Sequence, residues 1–494
     1  MMTRTTIAFV CLTAGCSLVL DKSETQCSTD TDCEHFGNHP FCQEGLCVAS
    51  GLGPAGCFYG TPTTQDQFAN QCTTAQTIPF DNCMRAGLCD DTSLQMAMSV
   101  SLPAVQSVAT APVNNIPVPT INCATDVPNP IFITGSTNLP PLVKAVQPLL
   151  AAGSPAYTAV FAPQTSCKGA ASIYDLDPTK HKVTSTTNGT NNYPFFYDVN
   201  GLQTYCLLDA TGVTIDVGES DVYPTSCSYT PVSAVADYTG PIQAITFVVP
   251  AGSSQDAISA EAAHLVFAAG GQNGKITPWT DSTLYFTRSS GTGTIQLPSR
   301  AIGVAPTAWW GEDRLSAGNL VASMESIDPN VAERAIGVLS SDFADRSRAN
   351  LRTLAFQQAG QKFGYLPDSS VESFDKANVR DGHYPVWGQI HLLATTSGGI
   401  PSQAASALVT QFTVPKLDEG LVGAIISAGF VPPCAMKVAH TEEVGPLATY
   451  APPFACSCYF DNKVNGATSC QTCAGPGECP SSAPACNYGF CEAQ

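Results

Sequence analysis

Between about Pro128 and Val438, short β-branched runs alternate with stretches of helical period. Ile131 to Thr134 reads as a strand. A helix follows it, with Pro140 and Pro141 in a first turn that needs no N–H groups and Leu142, Val146, Leu149 and Leu150 on one face. Ala159 to Phe161 and Leu284 to Phe286 read as strands, and Val213, Ile215 and Val217 alternate as another. Ile245 to Val249 is a buried strand, and Ile258 to Ala269 is a helix capped by Ser259. Strands alternating with helices predict an α/β layout with crossover connections. Gly420 to Met436 is uncharged, but Gly429 and Pro432-Pro433 interrupt it, which predicts a buried domain helix rather than a membrane span.

At 494 residues the chain exceeds what one core organises, and 44% apolar against 12% charged residues excludes wholesale disorder. A formal charge of -19 with only 21 Lys and Arg excludes a nucleic-acid footprint. An anion site in such a chain must rely on local N–H donors. The 22 cysteines point to an oxidising compartment. Arg4, the apolar Ile7 to Ala14 and the box Thr13-Ala14-Gly15-Cys16 read as a bacterial lipoprotein signal, with residues 1–15 removed and Cys16 lipidated. Thr13 stands where Leu is commoner, and an ordinary signal peptide is the competing reading. The expected location is the cell envelope, anchored to the membrane through lipid. Setting Cys11 and Cys16 aside leaves 20 cysteines, enough for ten bridges.

The two ends repeat one another. Cys27, Cys33, Cys42 and Cys47 match Cys473, Cys479, Cys486 and Cys491 in spacing, each set with a Pro and aromatics nearby. Units this small need crosslinks in place of a core, and zinc is the competing reading of the four thiolates. Residues 16–127, with Cys57, Cys72, Cys83 and Cys89, are expected to form a crosslinked spacer, and 441–494 a C-terminal module.

Four loops offer hydroxyls and backbone N–H groups of the kind a tetrahedral oxyanion needs. They are Gly135-Ser136-Thr137, Thr165-Ser166-Cys167-Lys168-Gly169, Gly218-Glu219-Ser220-Asp221 and Arg288-Ser289-Ser290-Gly291-Thr292-Gly293-Thr294. In that order they resemble the loops of the phosphate-binding proteins of ABC importers, which have the type II periplasmic-binding fold. Ala335-Ile336-Gly337-Val338 and Asp381-Gly382-His383-Tyr384-Pro385 resemble later segments of the same family. The resemblance spans about 310 residues and leaves both cysteine-rich ends aside.

The resemblance implies two α/β lobes, one from 128–240 with 386–440 and the other from 241–385, with small disulfide-rich modules at both ends. It implies ligand contacts at Ser136, Thr137, Ser166, Ser220, Asp221, Arg288, Thr292, Gly293 and Thr294. Arg288 would give a forked, charge-assisted pair. Asp221 would accept a proton that phosphate carries near neutral pH and sulfate does not, whereas two buried like charges would repel; capping a turn before Tyr223-Pro224 is its other reading. Lys168 and Glu219 flank the site and either tune ligand charge or face water. Thr replaces the family's usual Ser at Thr292, and Pro298 limits the following helix. A long insertion from Ser166 to Ser220 is positioned to cover the cleft. Cys167 is expected to bridge to Cys206 or Cys227.

Enzyme chemistry is not visible. The seven His residues show no metal spacing, Val222 stands where a nucleophile elbow needs Gly, and the Gly-rich loop lacks Gly-Lys-Ser/Thr. No catalytic residue, metal or cofactor is therefore expected. The reading is a monomeric solute-binding lipoprotein that captures inorganic phosphate or a related oxyanion for an ABC permease. A surface protein that kept the fold without transport, and a phosphomonoesterase, are the alternatives.

Overall fold

The computed structural model describes residues 27–33, 41–43, 45–48, 57–99, 106–109, 116–185, 192–271, 276–466 and 468–493. The expected signal segment and the lipidation site Cys16 lie outside them. Among the described residues no helix is long and apolar enough to cross a membrane. The run read as a strand at Ile245 to Val249 extends over Val235–Pro250, sixteen residues, and it is buried throughout only from Gly240 onward. Its polar-alternating first half lies on one sheet half and its apolar second half lies inside another.

The main strands, in chain order, are β1 (Pro130–Ser136), β2 (Thr158–Gln164), β3 (Val217–Ser220), β4 (Val235–Pro250), β5 (Tyr285–Thr287), β6 (Gly311–Asp313), β7 (Ile336–Ser340), β8 (Leu351–Thr353) and β9 (Trp387–Ser397). The first half-sheet runs β2-β1-β3-β9-β4, and the second runs β6-β5-β7-β4-β8. In each, the first three strands are parallel and the fourth strand in the row is antiparallel. One pattern is thus used twice, giving a two-lobed α/β protein in which β4 and β9 pass between lobes. Their shared ladder shifts register between Thr239 and Ile242, a local irregularity of the kind that bends a strand.

Helices follow the strand ends: α1 (Pro140–Ala151), α2 (Ser166–Tyr174), α3 (Ala260–Ala269), α4 (Gly293–Ile302) and α5 (Glu419–Ser427). α1 starts on its two prolines and buries Leu142, Val143, Val146 and Leu150. Ser259 caps α3 by accepting from Ala262 N at 3.0 Å. α4 continues through Pro298. The helix expected from Gly420 stops at Ser427, before Gly429 in the left-handed region. The alternating run at Val213 to Val217 is divided. Val213–Thr214 pairs with Lys182–Val183, while the Asp216 carboxylate accepts from Phe132 N at 2.9 Å and so interrupts the ladder before β3.

The core of the second lobe stacks Phe247 against Phe267 and Phe356, with Trp309 beside Phe267. Each buried aromatic contributes about 1.5–3 kcal/mol.

Within the stretch 16–127, the described residues 73–99 and 106–109 belong to the same compact unit as the two lobes. Thr77–Ile78 pairs with Gly364–Tyr365, and Gln106–Val108 pairs alongside β6. Phe68 and Phe80 are buried in the main core, apolar anchors that a reading led by cysteines overlooks. The described residues from 27 to 62, with 70–72, group as a separate unit.

Ten disulfides use the 20 expected cysteines. Both terminal modules pair first with third and second with fourth: Cys27–Cys42 with Cys33–Cys47, and Cys473–Cys486 with Cys479–Cys491. In each, the last two cysteines face one another across a hairpin. The C-terminal module is docked, with Tyr488 Oη donating to Leu417 O at 2.7 Å.

Candidate functional site

The parallel strands β1, β2 and β3 end on one edge, and the loops after them open into the crevice where α/β sheets hold ligands. The loop after β5 reaches the same place from the second lobe. Cys167 N donates to Gly291 O at 3.0 Å, and Gly293 N, at the start of α4, donates to Ser166 Oγ at 3.0 Å. Ser166 Oγ in turn donates to Asp221 Oδ2 at 3.0 Å. The two lobes therefore meet on one hydroxyl. Gly293 is required there, since a Cβ would lie 2.5 Å from Asp221 Cβ.

Ser136 N donates to Glu219 Oε2 at 2.5 Å. Glu219 does not flank the site facing water; it is fully buried. Burial, and then the Asp221 charge, push its carboxyl well above the usual range. Asp221 is raised by burial as well, against the pull of the hydrogen bonds it accepts and of Arg288. Of the two carboxyls, Glu219 is the one pushed more strongly toward its protonated form. Its backbone carbonyl would lie 1.8 Å from a Cβ on Gly169 and 2.3 Å from one on Gly135, so the loop after β1 and the first turn of α2 both pack on this residue. Sequence gave little sign of that, because carboxylates ordinarily face water.

Arg288 is 3% exposed, donates from Nη2 to Leu315 O at 3.2 Å, and is attracted by Asp313 and Asp221. Asp313, at the end of β6, was not singled out; its Oδ1 accepts from Leu315 N at 2.8 Å. Thr137 and Arg288 line a cleft of about 1220 Å³, together with Gln164, Thr165, Lys168 and Asp313. Ser136, Ser166, Asp221 and Gly293 lie behind it, bonded within the protein. Ser220 Oγ donates to Val222 O at 2.7 Å, and Thr292 Oγ1 to Ser289 O at 2.8 Å, so both hydroxyls are engaged locally. Thr294 is buried in the first turn of α4. Asp221 caps no turn: the 3-10 turn at Pro224–Cys227 begins after Tyr223 without a side-chain cap. Cys167 bridges Cys227, and Cys206 bridges Cys123. The insertion supplies Thr179, Lys180, Lys182 and Asn192 to the cleft wall.

No family of known proteins matches the sequence, and no curated protein matches it. Similar solved structures include a protein described as a phosphate ABC transporter substrate-binding protein, with bound phosphate, from Clostridium perfringens. It is 12% identical, the match covers 62% of this chain and 99% of that one, and the TM-score is 0.40. An ABC-type phosphate transport receptor from Vibrio cholerae is 14% identical over 62% of this chain and 100% of its own, with a TM-score of 0.39. The reduced OxyR regulatory domain from Pseudomonas aeruginosa is 10% identical over 57% and 96%, with a TM-score of 0.31.

Proposed function

We propose that this chain is an extracytoplasmic solute-binding protein that holds an oxyanion, phosphate first, between its two lobes. The supporting observation is the meeting of both lobes at Ser166 Oγ, between Asp221 and the N-terminus of α4, beside buried Arg288. A helix start and a guanidinium supply positive potential without net positive charge on the chain. Asp221 accepts a proton from the ligand and so favours phosphate over sulfate. On this reading Ser136, Thr137, Thr292 and Thr294 add donors once the ligand is seated, Cys16 carries the lipid anchor, and an ABC permease takes the released anion. Ten disulfides fit an oxidising, extracytoplasmic location.

Titration calorimetry with phosphate tests it. Wild type is expected to bind, and Arg288→Ala to lose about thirtyfold or more in affinity, as truncating a buried charge pair costs about 2–5 kcal/mol. One observation favours a second reading, a surface protein that kept the fold: Ser136 N and Gly293 N, donors an anion would use, already bond to protein oxygens. No heat with phosphate for either variant would support that reading instead.

A further inference from the structure

The cleft is larger than inorganic phosphate requires. Its volume of about 1220 Å³ exceeds the roughly 300–1,000 Å³ of pockets that bury drug-sized ligands. This is not the gape of separated lobes, because the interlobe bonds from Gly293 N to Ser166 Oγ and from Cys167 N to Gly291 O are both made, at 3.0 Å each.

The charge on its walls is also unlike the rest of the chain. Lys168, Lys180, Lys182 and Arg288 line it, four of the 21 Lys and Arg, against one carboxylate, Asp313. The protein as a whole carries -19. Arg288 is buried and the three lysines are exposed. Asp175 holds Lys180 at 2.7 Å, and that carboxyl is itself pulled down to about 2 chiefly by this pair. Tyr229 Oη donates to the same Asp175 at 2.9 Å and stacks on Tyr174, while Cys167–Cys227 ties α2 to the turn before Tyr229. The lysine wall is therefore braced. Val183, Tyr229 and Leu315 add apolar surface to the same lining.

We infer that the ligand is an organic phosphate bearing at least two anionic groups, one against Arg288 and the other against Lys168 and Lys182, with its carbon body between. This rests on the oxyanion-binding reading above and specifies its ligand class.

The test is calorimetry of the full chain with fructose 1,6-bisphosphate, fructose 6-phosphate and inorganic phosphate. The bisphosphate is expected to bind at least tenfold tighter than inorganic phosphate, with the monophosphate between them. Lys168→Gln with Lys182→Gln should weaken the bisphosphate at least tenfold more than it weakens inorganic phosphate; both side chains are exposed, so the fold is kept. Inorganic phosphate binding as tightly as the bisphosphate, or an equal loss for both ligands in the double variant, overturns this inference and leaves oxyanion binding standing. Silence with all three ligands overturns both.

Discussion

Glu219 gives folding a pH dependence of its own. Its folded-state pKa lies above its ordinary value, so the folded protein keeps a proton that the unfolded chain releases once pH passes the usual Glu range. Stability is therefore full below that range and declines as pH rises toward the folded-state value. Glu219→Gln keeps the acceptor for Ser136 N and removes the titration. Denaturant unfolding at pH 8 should find Glu219→Gln more stable than wild type by about 1–3 kcal/mol, with the gap closing near pH 4. A wild type that loses no more stability than the variant over that range would contradict this account. For Asp221, exchange to Asn removes the proton acceptor. Competition at pH 7 should show the preference for phosphate over sulfate reduced at least tenfold, and an unchanged ratio would refute the assigned role. Asp221, Ser166 and Arg288 could be singled out in the sequence because their loops carry a recognisable order of residue types. Glu219 and Asp313 could not, since their burial depends on which way a strand end turns and on what packs over it.

Among the elements, the helix starts were the most legible. Prolines in the first turn of α1 and Ser259 before α3 mark them chemically. Long β4 was half read, since only its lobe-two half is continuously apolar, and the strand at Val213 to Val217 was misread because Asp216 bonds sideways to Phe132. The bridge Cys167–Cys227 fixes the start of α2, and its loop closure of 60 residues constrains the unfolded chain. Replacing both cysteines by Ser should cost about 2–4 kcal/mol in denaturant unfolding. A loss below about 0.5 kcal/mol would mean that this bridge does not hold the loop.

At the scale of the molecule, the lobes repeat one strand order and share β4 and β9, so the loops of both that meet at Ser166 are tied to the same two strands. The loop that carries Arg288 and the start of α4 already bonds the start of α2. The alternation of strands and helices made the α/β class legible, and the cysteine spacing made the terminal modules legible. The pairing of Thr77–Ile78 and Gln106–Val108, and the burial of Phe68 and Phe80, are not legible in the sequence, because two short edge strands and two Phe anchors carry no periodic signal.

Diffraction from crystals of the chain grown with phosphate is the most direct test of whether an anion is held between the lobes. A tetrahedral density within hydrogen-bonding distance of the Arg288 guanidinium, and of at least one donor from the loops after β1 or β2, is the predicted result. An empty cleft at saturating phosphate, or phosphate bound only elsewhere on the protein, would contradict it.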